Sequence, residues 1–240
     1  MGALSDIQGL RPRIHSIDTA RTIALIGMVI FHTARDLEIF GVLAPGTTLS
    51  GGWAIFARLI AGCFFFLAGV SLVLGHGHRI RWQAFWRRLA TLVIAALAVS
   101  VATYAVMPGR FIYFGILHSI AACSLIGLAF LRLPAALIIV ASGGVFALNL
   151  SGFHPLPSTI WSFTGLSVPI RPSFDLLPII PWLGALLLGI GCAKIWTPAP
   201  AGTNTEPHWL GWPGRHSLAV YLLHQPALIA VIWLILKVTY

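Results

Sequence analysis

Charge is scarce in this sequence. Of 240 residues, 15 are Lys or Arg and six are Asp or Glu, 9% together. A soluble domain carries about 25% charged residues to cover its surface, so so sparse a set cannot solvate a 25.9 kDa globule. Cysteine is scarce too. Cys63, Cys123 and Cys192 each lie inside an apolar run. They are odd in number and without metal-ligand spacing, which excludes a disulfide framework and a zinc site and leaves small core residues. There is no Gly-rich phosphate loop, no nucleophile-elbow serine and no HExxH helix. The first 18 residues hold Asp6, Arg11, Arg13, His15 and Asp18 and lack the apolar stretch of a signal peptide. No segment alternates with a period of two, which excludes a membrane β-barrel. No half of the chain mirrors the other, as inverted-repeat transporters do.

What the chain does have is apolar bulk: 58% hydrophobic residues and a mean hydropathy of +0.91. A hydrocarbon core of about 30 Å needs roughly 20 such residues as helix. Seven runs qualify: about 17–36, 53–75, 87–108, 112–131, 134–150, 176–196 and 216–237. Backbone polar groups in lipid must be satisfied within the span, so the predicted fold is an all-α bundle of seven transmembrane helices. The organisation expected is an N-terminal segment, 1–16, followed by one transmembrane domain, 17–237.

The net charge of +9 would suggest nucleic acid in a soluble chain; in a membrane protein it reports topology. With the N-terminus inside, the cytoplasmic side holds Arg11, Arg13, Arg21, Arg79, Arg81, Arg87, Arg88, Arg132, Lys194 and Arg215. The other side holds Arg35, Arg58, Arg110, Arg171 and Lys237. Ten against five predicts a cytoplasmic N-terminus and, with an odd number of spans, an external C-terminus. The long outer segment Ser151–Asp175, with four prolines, reads as ordered irregular structure over the bundle mouth; Trp196–Gly214 reads as a linker.

Ionisable groups inside a span are costly and are functional candidates by default. His32 stands about 16 Å along the first helix from Arg21. His118 lies eight residues past Arg110, and His224 sits in Tyr221-Leu-Leu-His224-Gln225-Pro226. Single histidines of this kind often glue helices together. His32 differs, because Arg35 and Asp36 follow within a turn. An i, i+4 carboxylate can orient an imidazole that acts as general base, although Arg35 competes for Asp36. Arg58 either snorkels outward or reaches Asp36 or Glu38. Asp175 either caps the sixth helix or faces the cavity of His32. At the inner end, Asp18 and Arg21 form an i, i+3 pair. Arg79, Arg81, Arg87 and Arg88 with His76 and His78 either mark topology or hold an anionic, phosphate-bearing ligand.

Five stretches carry a family resemblance: Arg13-Ile-His-Ser-Ile-Asp18-Thr-Ala-Arg21 through Phe31-His32, Phe64–Ser71, Phe114–Ile120, Phe174–Trp182 and Gly214–Pro226. In this order they resemble the heparan-α-glucosaminide N-acetyltransferase catalytic-domain family, within a wider transmembrane acyltransferase superfamily that shares an Arg and a His eleven residues apart, here Arg21 and His32. Lysosomal members of the family place the catalytic histidine in the loop after the first helix; residues 36–52 of this chain contain none. The resemblance implies acetyl-CoA as donor from the cytoplasm, no metal, and an extracytoplasmic sugar or small-molecule acceptor. It implies His32 with Asp36 as the catalytic pair, Arg21, Arg79, Arg87 and Arg88 on the CoA phosphates, and Arg58, His118, Asp175, Trp182 and His224 around the acceptor. Nucleic acid is not expected as a partner, and self-association is left open. A proton-coupled carrier and an inactive scaffold of the same fold are the alternatives.

Overall fold

A computed structural model describes residues 15–77, 79–196 and 211–239. Arg11, Arg13, His78 and most of the predicted linker lie outside the described residues. The chain forms α1 (His15–Ile39), α2 (Gly51–His76), α3 (Trp82–Val106), α4 (Ile116–Phe130), α5 (Ala135–Leu150), α6 (Ile179–Ile195), the single turn α7 (Trp212–Arg215) and α8 (Ser217–Thr239). Short 3₁₀ turns at Thr47–Leu49 and Thr159–Thr164 sit in the connections. Among the described residues there are no strands, only isolated bridges from Phe114 to Leu176 and from Leu156 to Ser167. This is an all-α membrane protein.

Seven apolar helices fall on the seven predicted runs, but not with equal length. α1, α2, α3 and α8 are long and apolar enough to cross a membrane; α4, α5 and α6 have 15, 16 and 17 residues. At 1.5 Å per residue the short three extend about 22–26 Å. The predicted fourth and sixth runs lose their first residues to irregular backbone. Pro108 and Gly109 break the chain before α4, and Pro178 holds extended backbone before α6.

α6 is the central helix. Gly184, Ala185, Leu186, Leu187, Gly189, Ile190, Gly191 and Ala193 are all buried, and Leu186 and Ile190 meet Phe65, Leu72, Cys123 and Ile138 in the main apolar cluster. Without a hydrophobic driving force between helices in lipid, close approach depends on small residues at the contact. α2 and α6 cross this way reciprocally. A Cβ on Gly69 would lie 2.1 Å from the Leu186 carbonyl oxygen, and one on Gly189 would lie 2.1 Å from that of Phe66. Two polar ties lock neighbouring helices to the same core. Ser142 Oγ donates to the Gly184 carbonyl at 2.8 Å, and Lys194 Nζ donates to the carbonyls of Leu131 and Leu133 at 2.8 and 2.5 Å. Lys194 thus satisfies carbonyls just beyond α4, a use more specific than topology. Ile94, Leu97 and Val101 of α3, and Leu223, Val231 and Leu234 of α8, face outward as a lipid-exposed apolar surface.

At the far end of the bundle the segment 151–178 packs against residues 107–115. Phe174 N donates to the Arg110 carbonyl at 2.9 Å, Leu177 N to that of Phe114 at 3.2 Å, and the Arg171 guanidinium lies 5.1 Å from the ring centres of both Phe111 and Tyr113. Within it, Asp175 accepts from the backbone N–H of Ile116, the first residue of α4, at 3.4 Å. The expectation that Asp175 caps α6 is therefore corrected: it caps α4 from a distance of 59 residues, and α6 begins at Pro178 without a side-chain cap. The residue is half-buried, and desolvation raises its pKa to about 6.

Two outcomes follow. Gly189→Ala must drive α6 off α2 and should lower the thermal midpoint of detergent-solubilised protein by roughly 5 °C, an overpacking cost of about 1–3 kcal/mol. Gly143→Ala on α5, where a Cβ meets nothing within 4 Å, should match or exceed wild type; equal behaviour of the two would refute the crossing. For Asp175 the folded-state value lies above the unfolded one, so its favourable contribution is full below about pH 4 and is lost as pH rises through 6. The thermal midpoint should fall across that window in wild type and flatten in Asp175→Asn, and an equal slope in both proteins would remove Asp175 as its source.

Candidate active site between the first and last helices

α1 and α8 lie side by side and run in the same direction. At the start of α1, Gly214 presses on the helix so closely that a Cβ there would lie within 1.9 Å of the Asp18 carbonyl oxygen; its N–H donates to Thr22 Oγ1 at 3.0 Å. Further along, the His32 and His224 rings meet with centroids 4.9 Å apart, and Gln225 Nε2 donates to Asp36 Oδ1 at 2.7 Å. Moving from Gly214 to His224 on one chain segment tracks the move from Thr22 to His32 on the other, which is the register of parallel neighbours.

The middle of this seam is polar. Asp36 is 1% exposed, an expensive place for a carboxylate without a partner. Gln225 supplies that partner through Oδ1, while Asp36 Oδ2, Gln225 Oε1 and His224 Nε2 are buried without a protein hydrogen bond among the described residues. The two oxygens are acceptors and suit a ligand that brings N–H or O–H donors; Nε2 is an acceptor when the proton of the neutral ring sits on Nδ1. The expectation that Asp36 orients His32 is revised, since Asp36 is hydrogen-bonded to Gln225 and the ring against His32 is His224.

Towards the loop after α1, Glu38 is the organiser. Its Oε1 accepts from Arg35 Nη1 and Gly46 N, both at 2.8 Å. Its Oε2 accepts from Thr48 N at 2.7 Å and Thr48 Oγ1 at 2.5 Å. Arg35 therefore pairs with Glu38 and leaves Asp36 to Gln225. Arg58 takes neither carboxylate; it is exposed on α2, the snorkelling alternative.

The other residues singled out from sequence fall elsewhere. His118 Nε2 is 3.3 Å from Ser100 Oγ, whose own proton goes to the Ile112 carbonyl at 2.6 Å, so His118 donates and stitches α4 to α3. Trp182 stacks on Phe65 in the core, with ring centres 5.5 Å apart. Asp175 turns its carboxylate to the start of α4.

At the Arg21 end the structure splits the arginines. Arg79 and Arg87 are exposed, whereas Arg21 and Arg88 turn inward. Arg21 bonds Asp18 Oδ1 at 3.1 Å and Ser71 Oγ at 2.6 Å. Arg88 lines a crevice with Phe85, Leu89, Leu92 and Ser124, within Coulombic reach of Arg21 and His76, and no carboxylate of the described residues pairs with it. With Asp18 on Arg21 alone, the two guanidinium groups leave a local excess of positive charge that suits an anion. Among the described residues no group of three or more His, Cys, Asp or Glu is placed to hold a metal ion.

Sequence reading missed Gln225 and Ser71. Gln225 had a signal, an amide in an apolar helix beside His224 and Pro226; Ser71, 50 residues from Arg21, had none beyond its place in the Phe64–Ser71 motif.

Comparison with known proteins adds one match. No curated protein and no solved structure matches the chain. The family model described as heparan-alpha-glucosaminide N-acetyltransferase, catalytic, matches residues 13–226, a stretch that begins before α1 and ends at Pro226 of α8, one residue past Gln225. With nearly its whole length matched, both helices of the polar seam included, the chain belongs to the heparan-α-glucosaminide N-acetyltransferase catalytic-domain family.

Proposed function

We propose that this membrane protein of an acetyltransferase family moves acetyl from cytoplasmic acetyl-CoA to an amine or hydroxyl of an extracytoplasmic sugar or small molecule, in the inner (plasma) membrane. One observation carries the reading: a histidine pair, His32 and His224, lies in the middle of a parallel helix seam, with inward-turned arginines at one end and a carboxylate-organised loop at the other. That layout suits a donor phosphate held at Arg21 and Arg88 and an acceptor arriving from the Glu38 side.

In this scheme His32 takes the proton from the acceptor's N–H or O–H as that atom attacks the thioester carbonyl carbon. The carbon–sulfur bond breaks, and the departing CoA thiolate recovers the proton from His32. Asp36, fixed through Oδ1 by Gln225, offers Oδ2 to a second donor of the acceptor. If His32 carries the acetyl group itself, the reaction becomes two-step, with exchange between acetyl-CoA and free CoA.

CoA release from acetyl-CoA by purified protein in detergent, across a panel of amino sugars, tests the reading where no compartments remain. Acceptor-dependent release should appear in wild type and fall about 10²–10⁴-fold in His32→Ala with the fold intact; equal release in the variant would overturn the assignment of His32. A carrier would show no release at all. Arg88→Gln should raise the KM for acetyl-CoA about tenfold at little cost in kcat, a loss of ground-state binding. An unchanged KM would return Arg88 to a purely topological role.

A further inference from the structure

A histidine that acts as base at one ring nitrogen must keep its proton on the other, and what faces that other nitrogen fixes the tautomer. Asp36 is committed elsewhere: its hydrogen bond runs to Gln225, and none joins it to His32 among the described residues. The neighbour of the His32 ring is His224, 4.9 Å between centroids and inclined at 65°. No hydrogen bond joins the two rings among the described residues, and with His224 held at the Tyr221 carbonyl the N–H···N contact depends on rotation of the His32 ring.

The state of His224 can be read from its own contact. Nδ1 lies 2.5 Å from the Tyr221 carbonyl oxygen, and a carbonyl only accepts, so Nδ1 bears the proton. In the neutral ring the lone pair is then on Nε2, which is buried and meets no protein donor among the described residues. Pro226 follows two residues later inside α8; it has no N–H to give to the carbonyl one turn back, a local break in the ladder beside this histidine. Tyr221 is itself anchored, packing with Leu218 and Leu222 against Ala95, Ala96 and Leu117 of α3 and α4.

We infer that His224 is the positioning partner of His32: its Nε2 lone pair receives the N–H of His32, selects the tautomer that frees the other His32 nitrogen as base, and steadies the imidazolium that forms there. The order of groups is Tyr221 carbonyl, His224, His32, acceptor, and it repeats with a second imidazole the logic by which a carboxylate orients a catalytic histidine. The proton balance is that of the scheme above. One proton moves from the acceptor to His32 and on to the CoA thiolate, and His224 gains none over the cycle. The kinetic part of the inference rests on the acyl-transfer reading; the pairing itself does not.

The test uses the full chain in detergent micelles and two variants. His224→Phe keeps an aromatic ring and removes both nitrogens; His224→Gln restores an amide oxygen near the place of Nε2. With histidine nitrogens isotopically labelled and the His32 signal assigned by its loss in His32→Ala, wild type should show His32 in a single tautomer. His224→Phe should show a mixture and His224→Gln a return towards one. In parallel, kcat should fall about 10²-fold in His224→Phe and recover about tenfold in His224→Gln, while the KM for acetyl-CoA stays within twofold in both. An unchanged His32 spectrum in His224→Phe overturns the inference, and so does unchanged kcat with an active wild type. Equal loss in Phe and Gln variants with matching thermal midpoints assigns His224 to structure alone and also overturns it. If wild type releases no CoA with any acceptor, the acyl-transfer reading fails, and the spectra alone decide the pairing.

Discussion

A carboxylate one-hundredth exposed between two helices of a membrane bundle is the constraint around which this site is arranged. Buried as it is, Asp36 depends for its place on a donor from another helix, and Gln225 is that donor. The bond does more than solvate a charge. Gln225 adjoins His224, so satisfying Asp36 sets the rotation and depth of α8 against α1, and with them the contact of the two imidazoles. Hydrogen bonds in so low a dielectric are strong when made and expensive when lost, which makes the pairing a stringent register mark. A second mark lies towards the start of both helices, where Gly214 sits against the α1 backbone and bonds Thr22.

These marks matter because apolar packing does little to hold α8. Ile232 alone is buried among its described residues, whereas α6 is buried along most of its length. The molecule thus sets α8, whose described residues are mostly exposed, beside a well-buried α1 and a scaffold of α2, α4, α5 and α6 locked by the Gly69–Gly189 crossing. The scaffold still reaches the site, since α2 lends Ser71 to Arg21 and α3 and α4 hold Tyr221.

Much of this was legible in the sequence. Hydropathy located all seven apolar helices, and the spacing of His32, Asp36 and Arg21 picked out the helix that carries the site, because i, i+4 and eleven-residue intervals are properties of one helix. What spacing could not supply is which helix faces which. Asp36 was read with its neighbour His32 and its rival Arg35, yet its partner is 189 residues away, and Arg35 goes to Glu38. Asp175 was read either as the cap of the helix that follows it or as a carboxylate facing His32, and it bonds the start of α4. In each case a local partner was replaced by one delivered through tertiary packing. That packing is governed by small residues such as Gly189 and Gly214, whose importance shows only when the other backbone is in place. The shortness of α4 and α6 has a nearer cause, proline and glycine at their starts, and lies within reach of sequence once those residues are weighed against hydropathy.

α1 ties the levels of the site into one rigid measure. Along its 25 residues stand Asp18 with Arg21, then His32, then Arg35 paired with Glu38, with Asp36 between them in sequence. A helix fixes the separation of Arg21 and His32 at about 16 Å. On the reading proposed above, that is the length an extended donor must span to hold its phosphate at the arginines while its thioester meets the imidazole. A donor so placed leaves the opposite side of His32 to the acceptor, towards Asp36. The two substrates then approach one base from opposite ends of the same rod, and neither has to cross the bundle for the transferred group to do so. A carrier must open a path for its whole cargo; a helix that presents a base at mid-depth needs to pass only the acyl group.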